Sequence, residues 1–249
     1  MILDYLPLVA VGFFAQLVDG ALGMAFGVIS TSSMLFLGVP PAQASAIVHT
    51  AEIFTTGASA TSHIAHRNVD WRIVVRLGIT GVAGAILGAW FLSNIDASVM
   101  RPFISAYLML MGIFILLKAA RMAPARDAPA GWMPPLGFVA GFLDASGGGG
   151  WGPISTSTLV GSGHAPRLAV GSVNIAEFFV TIAAATTFFV ELGLSPLPQL
   201  IALVIGGLLA APFGGVAAKH IPPRALMIVV GLLVIVLASW QLARAFRIV

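Results

Sequence analysis

The sequence has no cysteine, only two tyrosines and very little charge: 8% of its 249 residues are Asp, Glu, Lys or Arg. Without thiols there are no disulfides, no thiolate metal centre and no thiol redox chemistry. The shortage of charge excludes more. An average soluble domain is about 25% charged, and so few ionic groups cannot cover the surface of a water-soluble enzyme. The net charge of +3 and the pI near 10 would flag nucleic acid in a soluble chain. Here the twelve Lys and Arg are spread between apolar segments, the pattern of cytoplasmic loops, so no nucleic-acid partner is expected. A basic stretch before the first apolar segment is also missing. Met1-Ile2-Leu3-Asp4 carries an acid instead, and the N-terminus reads as mature chain rather than a cleaved signal.

What the chain has in excess is hydrocarbon: 59% hydrophobic residues and a mean hydropathy of +1.02. At about 20 residues per crossing, it reads as an all-α polytopic protein of the cell (inner) membrane, with the lipid bilayer as its first partner.

The chain is also doubled. Shifted by 125 residues, Asp19–Thr56 falls on Asp144–Thr181 without a gap, and fifteen of 38 positions match. The matches include Asp19/Asp144, Gly23/Gly148, Gly27/Gly152, Ser30-Thr31-Ser32/Ser155-Thr156-Ser157, Pro41/Pro166 and Glu52/Glu177. Shared leucines would mean little in two membrane segments, but acids, glycines and prolines in register are hard to obtain by chance. A slip of one residue extends the match to Gly81/Gly207 and Gly88/Gly214. Residues 1–121 form the first repeat, 122–131 a polar, Pro-rich inter-repeat loop, and 132–249 the second repeat.

Each repeat opens with two short apolar segments (Tyr5–Val18 and Gly20–Leu37; Pro134–Leu143 and Gly152–Ser162) joined at an Asp and a glycine cluster. Three longer spans follow, at about 42–64, 72–93 and 99–121, and at about 167–190, 197–219 and 224–246. The opening segments are mostly too short to cross about 30 Å of hydrocarbon alone. They form either one broken helix that crosses or a re-entrant hairpin that returns. A hairpin leaves three crossings per repeat and inverts the second repeat, whereas a crossing broken helix keeps the repeats parallel. With the Arg67/Arg72 loop in the cytoplasm, the inverted arrangement places nine of twelve Lys and Arg inside and the parallel one eight. The inverted arrangement is therefore expected by the positive-inside rule, by one charge.

Four acids lie inside otherwise apolar segments: Asp19, Glu52, Asp144 and Glu177. Glu52 and Glu177 sit near the centres of spans with no Lys or Arg at that depth, where an ionised carboxylate costs at least ~2.5 kcal/mol. Each must be protonated, hydrogen-bonded to the backbone or balanced by a cation, which suits a coupling group for H⁺ or Na⁺; alternatively each caps broken backbone in the other repeat. Asp19 and Asp144 directly precede glycine-rich helix starts and are expected to be N-cap residues. The clusters Gly20-Ala21-Leu22-Gly23 and Gly147-Gly148-Gly149-Gly150 do not continue into a nucleotide-binding Gly-Lys-Ser/Thr. They offer backbone N–H groups at a helix N-terminus, where a carboxylate or sulfonate can bind without a buried arginine.

The candidate substrate contacts are Gly23, Ser146, Gly148, Gly149, Gly150, Trp151 and the repeat-equivalent His49 and Asn174. Each of the last two stands three residues before its glutamate on the same helix face. Imidazole against amide would make the two halves of a pocket unequal. The six hydroxyls of the two Ser-Thr-Ser runs are expected mainly to pack helices. His63 and His66 in a solvated loop are poor metal ligands, and no metal or other cofactor beyond a bound H⁺ or Na⁺ is expected. Gly161-Ser162-Gly163-His164 has the ingredients of a serine protease, but a triad is spatial and not sequential.

The motifs Val18-Asp19-Gly20-Ala21-Leu22-Gly23-Met24-Ala25-Phe26-Gly27 and Gly141–Pro153, each followed by Ser-Thr and then Gly-x-x-Pro, resemble the TauE/SafE sulfite exporter family over nearly the whole chain. The resemblance implies a bacterial, archaeal or plant membrane transporter of small sulfur-containing anions such as sulfite, sulfoacetate, thiosulfate or taurine-related compounds. It carries over Asp19, Gly23, Gly27, Asp144, Gly148, Gly149, Trp151 and Gly152. The expected function is secondary transport of sulfite or an organosulfonate, coupled to H⁺ or Na⁺, by a protein that is not an enzyme and that has room to pair as a homodimer. The alternatives are an uncoupled anion channel or a non-transporting membrane assembly subunit.

Overall fold

The computed structural model describes residues 5–120, 132–194 and 197–246. The opening tetrapeptide, the inter-repeat loop 122–131 and the side-chain surroundings of residues 214–219, Gly214 and Lys219 among them, lie outside what is described. The described residues form helices and no strands: α1 (Leu6–Leu22), α2 (Phe26–Phe36), α3 (Pro41–Ala65), α4 (Trp71–Ser93) and α5 (Ala97–Ala120), then α6 (Met133–Gly147), α7 (Trp151–Gly161), α8 (Pro166–Leu192), α9 (Leu197–His220) and α10 (Pro223–Ala245). Prolines open α1, α3, α6, α8 and α10, where a missing N–H costs nothing. Gly23 and Gly148 close α1 and α6 in the left-handed conformation, each returning its N–H to the carbonyl of Asp19 or Asp144.

The boundaries of the short helices correct the expected ones. Asp19 and Asp144 lie in the last turn of α1 and α6, not ahead of α2 and α7; the N-cap positions belong to Ala25 and Gly150. Helix continues through Asp-Gly-Ala-Leu and Asp-Ala-Ser-Gly because no residue before Gly23 or Gly148 has to leave right-handed geometry.

The repeats exchange their first helices. α1 packs on α9 and α6 on α4, while α3 packs on α8 and α5 on α10. The contacts are glycine-mediated and symmetric. A Cβ at Gly12 would collide with the Leu203 carbonyl, and one at Gly137 with the carbonyl of Leu77, the counterpart of Leu203. Close backbone approach of this kind is how helices associate where no hydrophobic driving force acts between them.

Helix directions follow from the contacts. Gly112 meets Gly231 while Ser105 meets Gln241, so α5 and α10 run antiparallel. His49 faces Phe188 and Gly57 faces Phe178, so α3 and α8 do too. Gly78 lies against Ala176 and Gly81 against Val180, which makes α4 and α8 parallel.

Polarity is inside out. The interior holds Asp19, His49, Glu52, Asp144, Asn174 and Glu177, whereas Ile79, Phe103, Val190 and Val236 stand more than 60% exposed. A lipid-facing surface explains this and water does not. Four helices, α4, α5, α8 and α10, are long and apolar enough to cross a membrane, and α9 is apolar over Leu197–Phe213. α3 has the length, 25 residues or about 37 Å, but its Ser45, His49, Glu52, Thr55 and Thr56, all buried, lower its hydropathy.

Gly12→Ala and Gly137→Ala should each cost about 1–3 kcal/mol by overpacking, read as a fall of several degrees in the melting temperature of the detergent-purified protein. Gly161→Ala, with open space at its Cβ, should not lower that temperature.

Candidate functional site

The two helix breaks meet each other at the centre of the protein. A Cβ on Gly27 would stand 3.0 Å from Gly149 Cα and 3.3 Å from Glu52 Oε1, so only glycine allows the start of α2 to touch the second break. Thr156 Oγ1 on α7 donates to the Gly23 carbonyl at 3.1 Å, tying the breaks together. The N-cap of α2, Ala25, has φ 112°, a region that costs a non-glycine residue of order 1–3 kcal/mol.

Around this junction stand five buried ionisable side chains: Asp19 on α1, His49 and Glu52 on α3, Asp144 on α6 and Glu177 on α8. They come from both repeats. Asp144 joins the two features. Its Oδ1 accepts the N–H of Trp151, the first residue of α7, at 2.9 Å, while Oδ2 lies 3.2 Å from His49 Nε2. It caps α7 from across the break, and Asp19 lies toward the N–H of Phe26 at the start of α2.

The hydrogen bonds of His49 define its protonation. Nδ1 sits 2.8 Å from the Ser45 carbonyl, which can only accept. Ser45 Oγ, 3.2 Å away, spends its proton on the Ala145 carbonyl. Nδ1 therefore carries a hydrogen, and a single further proton lies between Nε2 and Asp144. The pair is neutral overall whichever partner holds that proton. No Lys or Arg pairs with Asp19, Glu52 or Glu177 among the described residues. The ligand atoms of His49, Glu52 and Asp144 all lie within 4.8 Å of one another, a spacing that a small cation can bridge. Glu177 is buried within electrostatic reach of the carboxylates of Asp19, Glu52 and Asp144.

The other sequence-derived candidates divide. Gly148 and Gly149 give their N–H groups to the Asp144 carbonyl, leaving Gly150 and Gly152 as the donors of the second break. Trp151 is fully buried, its ring against Gly81 and its Nε1 on the Val173 carbonyl at 3.1 Å. Ser146 bonds back to Phe142 in its own helix. Asn174, the counterpart of His49, has a buried Oδ1 with no partner among the described residues, as do the hydroxyls of Ser30, Thr31, Ser32 and Ser155. Of the six expected packing hydroxyls, Thr156 and Ser157 alone are engaged. Ser162 and His164 each bond to a backbone carbonyl, at Thr158 and Leu159, and form no dyad. His66 likewise turns to Ser62.

Sequence reasoning passed over Ser45, which sets the His49 proton, and Tyr107, whose hydroxyl donates to the Gly149 carbonyl at 2.8 Å. The signals were present: a Ser-x-x-x-His step on one helix face, and one of only two tyrosines in mid-span.

The profile of the family described as Sulfite exporter TauE/SafE matches residues 8–240. The chain belongs to the TauE/SafE family. Among its relatives, a protein of Bacillus subtilis (strain 168) named probable membrane transporter protein YtnM is 42% identical over 230 residues, covering 89% of this chain and 77% of that one. Probable membrane transporter protein ORF9 of a Sinorhizobium species is 25% identical over 185 residues, 73% of this chain and 65% of its own. No solved structure matches. This TauE/SafE member is thus a multi-pass membrane protein of a transporter family.

Breaking the buried pair should be costly. His49→Ala leaves Asp144 uncompensated and should lower stability by about 3–5 kcal/mol, and adding Asp144→Asn should recover part of the loss in the same thermal assay. Ala25→Gly should raise the melting temperature, the reverse of what Ala→Gly does in an ordinary helix.

Proposed function

We propose that this TauE/SafE protein is a secondary transporter of a small sulfur-containing anion, sulfite or an organosulfonate such as sulfoacetate, across the cytoplasmic membrane, coupled to H⁺ or Na⁺. The repeats are inverted, in keeping with the antiparallel α3/α8 and α5/α10 pairs, and the site lies at mid-membrane where the two breaks meet.

The observation that carries the reading is the adjacency of anion-binding donors and buried acids. The N-termini of α2 and α7 favour an anion, with Gly150, Gly152 and the amide of Asn174 as its contacts. Yet Glu52 Oε1 faces the Gly27–Gly149 junction directly. Ionised glutamates there would repel the substrate in a low-dielectric setting. Protonation of Glu52 and Glu177, or a Na⁺ between the carboxylates, removes that repulsion, so the anion and the coupling cation bind together or not at all. Asp144 and His49 remain neutral as a pair and hold the break in shape. No nucleotide motif is present, so the driving force is an ion gradient. The rival uncoupled facilitator leaves the glutamates purely structural.

In proteoliposomes loaded with a pH or Na⁺ gradient, sulfite or sulfoacetate uptake should exceed the gradient-free rate. Glu52→Gln/Glu177→Gln should abolish that stimulation, a loss of about tenfold or more, while downhill exchange persists. A double variant that keeps the same gradient dependence would refute the coupling.

A further inference from the structure

Where α2 ends, it faces α5 and α10 across a cleft of about 290 Å³ lined by Leu35, Phe36, Arg101, Trp240, Gln241 and Arg244. Two guanidiniums share this small space, and no carboxylate pairs with either among the described residues. Arg101, in the first turns of α5, is at the helix end where a cation is least favoured. One of its terminal nitrogens donates to the Gly38 and Val39 carbonyls at 3.3 and 3.4 Å, which leaves three further N–H donors of its guanidinium. Arg244, in the last turn of α10, is exposed and makes no side-chain bond among those described. The rings of Phe36 and Trp240, 6.4 Å apart, stand beside the cations as aromatic residues do at a membrane–water boundary.

The repeat supplies an independent observation. Lys118, in the last turn of α5, is the counterpart of Arg244 under a shift of 126 residues, and Ser157 is the counterpart of Ser32 under a shift of 125. Lys118 Nζ donates to Ser157 Oγ on α7. One turn before Arg244, Gln241 donates to the Ser32 carbonyl of α2 at 3.2 Å and accepts from Ser105 at 3.1 Å. Each repeat's third long helix thus presents a cation to the outer end of the other repeat's second short helix. With the Arg67/Arg72 loop in the cytoplasm, Arg101 and Arg244 are two of the three Lys and Arg on the opposite face, where the positive-inside rule gives them no reason to be.

We infer that the cleft between the end of α2 and helices α5 and α10 is a second anion-binding site, for a tetrahedral oxyanion group of the sulfonate or phosphate class, held by Arg101 and Arg244 with the amide of Gln241. A free small oxyanion and an anionic lipid headgroup share that chemistry. The site lies apart from the central junction, and its test reads binding alone, so it stands or falls separately from the transport reading.

The test is a titration of the detergent-purified full chain followed by tryptophan fluorescence, with Trp240→Phe isolating the signal of the cleft. The probes are sulfoacetate, sulfate, dihexanoyl phosphatidylglycerol and dihexanoyl phosphatidylcholine. Saturable, Trp240-dependent binding of sulfoacetate or sulfate assigns the cleft to a free oxyanion. Binding of the phosphatidylglycerol alone assigns it to a lipid headgroup. In either case Arg101→Gln/Arg244→Gln should weaken binding about tenfold or more, as loss of a charge-assisted hydrogen bond implies. Arg244→Gln alone, at an exposed residue with no bond to lose, keeps the fold and should weaken it in the same direction. Equal binding of phosphatidylcholine, affinity unchanged in Arg244→Gln, or no Trp240 signal with any anion would each overturn the assignment.

Discussion

Inside hydrocarbon every broken helix and every charge must find its partner within the protein, and Asp144 meets both demands at once. One carboxylate oxygen holds the Trp151 N–H that opens α7, and the other shares a proton with His49 from the opposite repeat. Remove that carboxylate and the start of α7 loses its cap, the imidazole its counter-charge and the two repeats their polar link. The surrounding structure serves this junction. Ser45 orients the imidazole, Tyr107 fastens Gly149, and Trp151 wedges between α4 and α8. Glycines at 27 and 149 allow the breaks to touch.

Much of this was legible before any coordinates. The register of Asp19, Gly23 and Glu52 on Asp144, Gly148 and Glu177 revealed the repeat, the two breaks and the acids that gather there. The long helices fall within a few residues of the expected spans. The errors have a common origin. Asp19 and Asp144 look like N-caps because an acid before glycines usually is one, but a helix ends where φ turns positive, and after these acids that first happens at Gly23 and Gly148. Asp144 therefore caps from behind, across the gap. Nothing local encodes the pairing of His49 with a residue 95 positions away, nor the reach of Arg101 to the end of α2. The first of these contacts exists only once the repeats have exchanged their first helices.

The repeats are alike in frame and unlike in chemistry. His49 neutralises Asp144, whereas Asn174 occupies the corresponding place in the other repeat with its carbonyl oxygen unpartnered. The four glycines at residues 147–150 correspond to Leu22-Gly23-Met24-Ala25 in the first repeat, so the first break keeps a strained Ala25 where the second has Gly150. Duplication provided a symmetric scaffold, and substitution at a handful of buried positions made one half a closed polar network and left the other with free hydrogen-bonding capacity facing the centre.

The exchange of first helices also sets an order of assembly during synthesis. α6 emerges after its partner α4 and can dock on a surface already in the membrane. α1 emerges first, yet its partner α9 begins at Leu197, so most of the chain must leave the ribosome before that seat exists. Until then a short helix carrying Asp19, too short to span and with its glycine face unmatched, has to be kept at the bilayer surface or shielded by an insertion factor. The first repeat is in this sense completed last, and a lesion in α9 would be felt as a failure of the N-terminus.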